Sequence, residues 1–174
     1  MTSRSRWPLA ELNSLSREEF VRIVGPVFEA SPWISEETWA RRPFADLVRL
    51  HRALCETVRG VVEKRQLALI RAHPDLVGRA ALAGTLTPES NREQASAGLD
   101  RLTAGEIATF QRLNEAYRGK FGFPFVICAR LNKKDAILNG FRARLQHSQA
   151  EEIKSALAEI EKIAYLRLAD IVQS

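Results

Sequence analysis

The sequence predicts an all-α protein in which seven or eight helices form one domain over residues 1–174. Apolar residues recur along most of the chain at the three- and four-residue spacing of helices. Serine and threonine residues stand at several positions where they would cap a helix, and no segment gives a firm strand signal. A chain of 174 residues that is 45% hydrophobic is long enough to bury one core.

The first third of the chain is predicted to form two long helices separated by a short one. Ser16 begins a capping box, so a helix is expected from there to about Ala30. Ser35 is expected to cap a short helical turn that ends near Arg41. Pro43 is then expected to open a long helix, whose apolar stripe consists of Leu47, Leu50, Leu54, Val58 and Val61.

Three helices are predicted in the middle of the chain. The helical pattern over residues 63–72 should stop before Pro74, because a proline disfavours helical geometry at the residue that precedes it. His73 is therefore expected at a helix end. Thr87 and Thr103 are expected to cap the next two helices.

The remaining segments are two helices and one apolar stretch. Helices are expected over residues 132–146 and 148–172. Residues 123–129 are apolar and β-prone but contain Pro124, so the pattern fits either a buried strand or a buried connector. We interpret them as an extended connector. Its backbone polar groups would need partners in other helices, water or a ligand, so it is a candidate wall of a ligand site.

Composition and charge narrow the class of protein. The net charge is +5 and the sequence pI is about 9.6, but the basic pairs are scattered among acidic residues, so nucleic-acid binding is not expected. No apolar stretch is long enough to span a membrane, and the N-terminus lacks the apolar core of a signal peptide. Cys55 and Cys128 lie far apart and form no Cys-x-x-Cys unit, which favours the cytoplasm.

The usual motifs for metals, phosphates and nucleophiles are missing. The three histidines form no metal-binding pair, and neither a phosphate-binding loop nor a Gly-x-Ser-x-Gly elbow is present. Cys128 lies in an apolar run, where burial should raise the pKa of its thiol and make it unreactive. His51 fits a core or boundary position, and His147 ends a helix.

The last predicted helix places a charge within its apolar stripe. Arg167 falls between Ala164 and Ile171 on the same face. A buried guanidinium needs an acid or an anionic ligand close by, whereas an arginine near the chain end can also extend to solvent. The pattern alone fits both alternatives.

A polar triplet occupies one face of the helix capped by Thr87. Ser90, Glu93 and Gln94 are three and four residues apart, so their side chains converge. They could line a pocket, or they could form an ordinary solvated face. His73 also has two possible roles, and a lone histidine at a helix end is more often structural than catalytic.

Several segments, in the order and spacing found here, resemble the family of 2-oxo-4-hydroxy-4-carboxy-5-ureidoimidazoline (OHCU) decarboxylases. The first is the sequence Ala-His-Pro-Asp-Leu at residues 72–76. The others are the polar helix at residues 86–99, the Leu-Asn-x-x-Tyr-x-x-Lys-Phe-Gly-Phe-Pro-Phe-Val-Ile-Cys segment at residues 113–128, and the Lys-Ile-x-x-Leu-Arg-Leu segment at residues 162–168. Residues 1–60 match only in their general helical character. Val77 departs from the small residue that is common at its position.

The resemblance implies roles for individual residues. His73 would be the catalytic acid or base, and Glu93 and Arg167 would complete a charged catalytic site. The substrate-binding residues would be Pro74, Ser90, Asn91, Arg92, Gln94, Phe125, Val126, Ile127, Cys128 and Ala129.

The resemblance also implies a reaction. The family converts its ureidoimidazoline substrate to (S)-allantoin by decarboxylation and protonation on one face, as the last step from urate to allantoin, without a metal or organic cofactor. It is commonly homodimeric. Two alternatives stay open: a non-enzymatic helical module that binds an acidic partner or nucleic acid, and the same pocket acting on a related ureido or imidazoline compound.

Overall fold

A computed structural model describes residues 6–173 of the chain. Within this range, ten α-helices, three short 3-10 helices and one pair of two-residue strands confirm the all-α class. The α-helices are α1 (Leu9–Ser14), α2 (Arg17–Val24), α3 (Trp33–Thr38), α4 (Leu47–Gly60), α5 (Glu63–Ala72), α6 (Arg79–Leu82), α7 (Pro88–Ser96), α8 (Ala104–Phe121), α9 (Lys134–Arg144) and α10 (Gln149–Ile171). The helices beyond the predicted seven or eight include α1 and α6, which are too short to show an apolar period.

Three predicted helix caps are confirmed by their hydrogen bonds. Ser16 and Glu19 form the capping box of α2, and Thr103 and Glu106 form that of α8. The Thr87 hydroxyl accepts from the backbone of Ser90 at the start of α7. Helix α8 ends at Phe121 and is capped by Gly122, whose φ of +73° is a left-handed conformation that glycine adopts without steric cost.

Three predictions in the first third of the chain are wrong. Helix α2 ends at Val24 rather than near Ala30, because Pro26 lies in a 3-10 turn over Gly25–Val27. Ser35 does not cap a helix: it lies inside α3, and its hydroxyl donates to the Pro32 carbonyl at 2.8 Å.

Pro43 does not open the long helix either. The Arg42–Pro43 peptide bond is cis, and the chain continues to Asp46 before α4 begins. The Asp46 carboxylate accepts from the backbone N–H of Arg49 at 2.7 Å and caps the helix.

Residues of the chain group into two compact units. Among the described residues, unit 1 contains residues 6–69 and 161–173, and unit 2 contains residues 70–160. The divisions fall inside α5 and inside α10. The single domain therefore stays a prediction.

Unit 1 is built around the apolar faces of α2, α3 and α4. Its buried residues include Phe20, Ile34, Leu50, Leu54 and Leu168. Strands β1 (Trp7–Pro8) and β2 (Val172–Gln173) pair in parallel and join the two ends of the described chain in this unit.

Unit 2 has an aromatic core. The Tyr117 ring lies between 4.7 and 6.2 Å from four phenylalanine rings, and the Phe125 and Phe141 rings stack at 3.8 Å. Such contacts bury large apolar areas and hold the rings in defined orientations. The core of unit 2 therefore fixes the segment that contains Phe125.

No helix in the described part of the chain is long and apolar enough to cross a membrane.

Candidate active site

The polar face of α7 is buried. Ser90, Glu93 and Gln94 are only 5%, 9% and 6% exposed. A solvated face, the ordinary alternative for this spacing, is thus excluded for all three side chains. Buried polar side chains are normally hydrogen-bonded, because burying them without partners is unfavourable.

Gln94 connects α7 to the segment that follows His73. Its Oε1 atom accepts from the backbone N–H of Val77 at 3.0 Å, and its Nε2 atom donates to the Asp75 carbonyl at 3.4 Å. Both ends of the carboxamide therefore bind one turn of backbone. This turn belongs to residues 73–78, which we call the His73 loop.

The His73 loop is tight and strained. His73 is 6% exposed, and its backbone N–H donates to the Ile70 carbonyl at the end of α5, as the helix-end prediction requires. Val77 has a φ of +52°, which is unusual for a β-branched residue. A Cβ atom at Gly78 would lie 2.5 Å from the Cβ atom of Asp75, so only glycine fits there.

Two residues of α8 bind the same loop. The Nδ2 atom of Asn114 donates to the Leu76 carbonyl at 2.8 Å. The Nε atom of Arg118 lies 2.9 and 3.0 Å from the two carboxylate oxygens of Asp75. The loop is thus held from α7 and from α8.

Residues 123–129 form the predicted extended connector up to its last residue, where a 3-10 helix over Ala129–Leu131 begins. Side chains bind several of its backbone groups, as expected for a lone extended segment. The Glu159 carboxylate accepts from the Cys128 N–H at 2.8 Å, and Arg144 donates to the Val126 carbonyl at 2.7 Å. Ile127 is half-buried, and the other predicted binding residues of the connector, Phe125, Val126, Cys128 and Ala129, are buried.

Electrostatics link the connector to α7. Burial raises the pKa of the Cys128 thiol, and the carboxylates of Glu159 and Glu93 raise it further. The predicted inert character of this thiol is therefore supported. The charge of Glu93 acts on Cys128, and α7 packs against the 3-10 helix that follows it.

A buried ionic group lies behind the connector. The Glu152 side chain is fully buried and accepts from the Tyr117 hydroxyl and from Arg144, whose Nε atom lies 2.7 Å away. The Nδ1 atom of His147 is 2.9 Å from the second carboxylate oxygen. The Arg144 guanidinium also lies over the ring of Phe125, 4.4 Å from its centroid.

Arg167 is buried in unit 1, at 5% exposure. Its Nη1 atom is 3.1 Å from the Glu29 carboxylate and 3.5 Å from the Pro26 carbonyl. The structure thus selects the buried alternative over extension to solvent and shows the acidic partner that burial of a guanidinium requires. His51, also in unit 1, is half-buried and bonds the Glu161 carbonyl at 2.8 Å, in line with a boundary histidine.

Some of the predicted site residues are only half-buried or are exposed. Pro74 is half-buried, whereas Asn91 and Arg92 are exposed on α7, and Arg92 is within 3.5 Å of Glu89. The structure brings Gln94 together with the His73 loop but does not bring Asn91 and Arg92 to the buried face of α7. Their role in binding stays a prediction.

Sequence reasoning missed Asn114 and Glu152. Asn114 lies within a stripe formed by Phe110, Tyr117 and Phe121, at spacings of four, three and four residues. A polar residue inside an apolar stripe is the signal that identified Arg167, and it was available here too.

The predicted site residues neither line the described cavity nor form a cluster that could hold a metal ion. A cavity of about 250 Å³ lies in unit 1, contains none of the predicted site residues and is lined by Arg41, Phe44, Arg49, Arg52, Ala53 and Glu56. Among residues 6–173, no group of three or more histidine, cysteine, aspartate or glutamate side chains is arranged to hold a metal ion.

The fold and these contacts define an all-α protein that buries an imidazole, a carboxylate and a carboxamide within one compact unit. The chain belongs to the OHCU decarboxylase family, whose model matches residues 13–169.

Individual relatives cover nearly the whole chain. The chain is 44% identical over 165 residues to the OHCU decarboxylase of Amia calva, covering 95% of this chain and 94% of the relative. It is 42% identical over 167 residues to that of Halalkalicoccus jeotgali, covering 96% and 93%. A crystal structure of (S)-allantoin synthase is similar at 27% identity and a TM-score of 0.76, with 96% of this chain and 54% of that chain covered.

Proposed function

We propose that the protein decarboxylates OHCU to allantoin in urate degradation, and that it releases the (S) enantiomer. Membership of the family and the names of relatives at 42–44% identity support the reaction. The name of the similar crystal structure, (S)-allantoin synthase, supports the handedness. The observation that carries the proposal is the buried polar face of α7, bonded through Gln94 to the loop that begins with His73.

The substrate supplies its own electron sink. Its carboxylate is attached to a carbon next to a C=N bond. When the bond to the carboxylate breaks and CO2 leaves, the electron pair delocalises into the imine. The negative nitrogen takes up a proton, and the hydroxyl beside the lost carboxylate gives up its proton and becomes a carbonyl. A proton then adds to one face of the former imine carbon and completes the product. The protein needs to orient the substrate, polarise it and deliver that proton.

His73 and Glu93 fit the acid–base part of this reaction. We assign His73 to proton transfer, since an imidazole changes its protonation state near neutral pH. We assign Glu93 to the hydroxyl group beside the departing carboxylate. Pro74, Ser90 and the backbone of the connector would hold the ring, and Gln94 would hold both the substrate edge and the His73 loop.

Arg167 is the remaining predicted catalytic residue. A permanently charged guanidinium suits the anionic groups of the substrate. Arg167 is buried, and the carboxylate of Glu29 compensates its charge. Its part in catalysis, the homodimer, the cytoplasmic location and the absence of a cofactor remain predictions drawn from the resemblance and the sequence.

The first test is turnover by the wild-type protein. The substrate is generated in situ from urate with an oxidase and a hydrolase, and absorbance and circular dichroism are followed. We expect fast formation of optically active allantoin. A decay that matches the uncatalysed racemic reaction would overturn the proposal.

A matched pair of variants then tests the site. Glu93→Gln removes the buried carboxylate, and Glu89→Gln makes the same change one turn earlier on α7, where the side chain is partly exposed. We expect Glu93→Gln to lose most of the stereoselective turnover and Glu89→Gln to keep it. Equal activity of the two variants would remove Glu93 from the site.

A further inference from the structure

We propose that Asn114 is a positioning residue that fixes the His73 loop, and through it the His73 imidazole, for proton transfer. The proposal rests on the function proposed above and adds a residue that does not belong to the predicted site. Asn114 lies on α8, 38 residues from the carbonyl it binds, so the contact is a feature of the fold rather than of a local turn.

Three backbone polar groups in a row depend on side-chain carboxamides. Gln94 binds the Asp75 carbonyl and the Val77 N–H, and Asn114 binds the Leu76 carbonyl between them. The peptide group between Leu76 and Val77 is therefore held at both its carbonyl and its N–H. Removal of the Asn114 donor leaves its carbonyl without this bond, so that only Gln94 holds the group.

The turn needs this support because its conformation is strained. Val77 is held at a φ of +52°, although a branched side chain disfavours the left-handed region. A strained conformation persists only where the surroundings determine it. Without the bond from Asn114, the loop can relax towards ordinary backbone angles and carry His73 with it.

Packing alone does not explain an asparagine at position 114. The side chain is buried, and its Oδ1 atom is without a hydrogen-bond partner among the described residues. A buried oxygen in that state is unfavourable, and a leucine of similar size would avoid it. The Nδ2 bond to the Leu76 carbonyl is the contact that a leucine could not supply.

The expected effect falls on turnover. A displacement of about 1 Å at a reacting group costs on the order of 100-fold in rate, so Asn114→Leu should lower kcat by roughly 10- to 100-fold. KM should stay within about threefold, because the residue itself does not touch the substrate. The control is Arg118→Gln, which removes an exposed side-chain contact to the same loop but leaves the peptide groups bound, and it should keep both constants.

A second readout does not depend on activity. The chain has three histidines, so NMR titration of their ring C–H signals resolves each one. In Asn114→Leu the signal and titration midpoint of His73 should move, whereas those of His51, in unit 1, should stay. The pH profile of kcat should shift in parallel with the His73 midpoint.

A third variant tests the role of Asn114 even if Asn114→Leu does not fold. Asn114→Asp keeps the shape of the side chain but loses the donor when ionised and regains one when protonated. Its kcat relative to wild type should therefore rise as the pH falls.

Inactivity of the wild type would refute the proposed function, and the NMR comparison would still decide the positioning role. With an active wild type, an unchanged kcat and an unmoved His73 signal in a folded variant would overturn the role of Asn114.

Discussion

The His73 loop and the connector both carry proposed site residues outside regular secondary structure, but they are held by different chemistry. Neutral carboxamides of Gln94 and Asn114 bind the backbone of the loop. Charged side chains bind the connector: Glu159 accepts from Cys128, and Arg144 donates to Val126 while it pairs with the buried Glu152. Strain is found in the loop, at Val77, and buried charge lies behind the connector.

This difference predicts that substitutions around the two segments affect different properties of the protein. Removal of one partner of a buried neutral hydrogen bond costs about 1–3 kcal/mol, whereas removal of one member of a buried ion pair leaves an uncompensated charge and costs about 3–5 kcal/mol. Stability should therefore depend more on the groups behind the connector. The geometry of His73 should depend more on the amides that hold its loop.

The largest effect on stability is expected at Glu152. Glu152→Gln removes the charge that compensates Arg144 and weakens the bonds to Tyr117 and His147, so urea unfolding should show a loss of about 3–5 kcal/mol. Glu151→Gln is the control, because its side chain is exposed and only caps α10 through Ser148. If the two neighbours lose equal stability, the Glu152 group does not hold the connector as argued.

A pair of valines sharpens the comparison of strain. Val126 on the connector and Val77 on the loop are both buried, but only Val77 has a positive φ. Val126→Gly should cost about 2–4 kcal/mol through lost burial and added backbone freedom. Val77→Gly should cost about 1–2 kcal/mol less, because glycine relieves the left-handed strain. Equal losses in chemical unfolding would show that the loop stores no strain.

The Cys128 thiol reports on the connector with a smaller, kinetic effect. Its pKa is raised by burial and by the Glu159 and Glu93 carboxylates, so the folded state holds the thiol proton more tightly than the unfolded state does. This contribution to stability is complete below the ordinary thiol pKa and is lost as the pH rises above it. In a Cys55→Ala background, an aromatic disulfide reagent near neutral pH should label Cys128 only as fast as the connector opens. Glu152→Gln should accelerate the labelling, and rapid labelling of the native protein would contradict a buried connector.

Signals that act over a few residues predicted much of this architecture. The capping residues Ser16, Thr87 and Thr103 act within one helical turn, and their bonds are present. Pro74 limits the residue next to it and correctly ends α5 before His73. Burial of the α7 face was one of two alternatives, since spacing shows which residues converge but not what covers them.

Contacts that link distant parts of the chain could not be predicted in the same way. A buried Arg167 is predicted to need an acid or an anionic ligand, but the identity of its partner, Glu29, depends on a contact with a residue 138 positions away in the sequence. The positive φ of Val77 gave no local signal, because valine is not a residue that favours it. Pro43 was misinterpreted because a proline fits both the first turn of a helix and a bend before it.

The most direct test of the central claim is stereoselective turnover by His73→Asn, compared with wild type after both are shown to unfold at the same urea concentration. A positioned histidine contributes roughly 10²- to 10⁴-fold through acid–base catalysis, so kcat should fall by about that factor. The allantoin that forms should also lose its optical activity as the uncatalysed reaction takes over. Full turnover of the (S) product by a folded His73→Asn variant would contradict the assignment of the site to the His73 loop and α7.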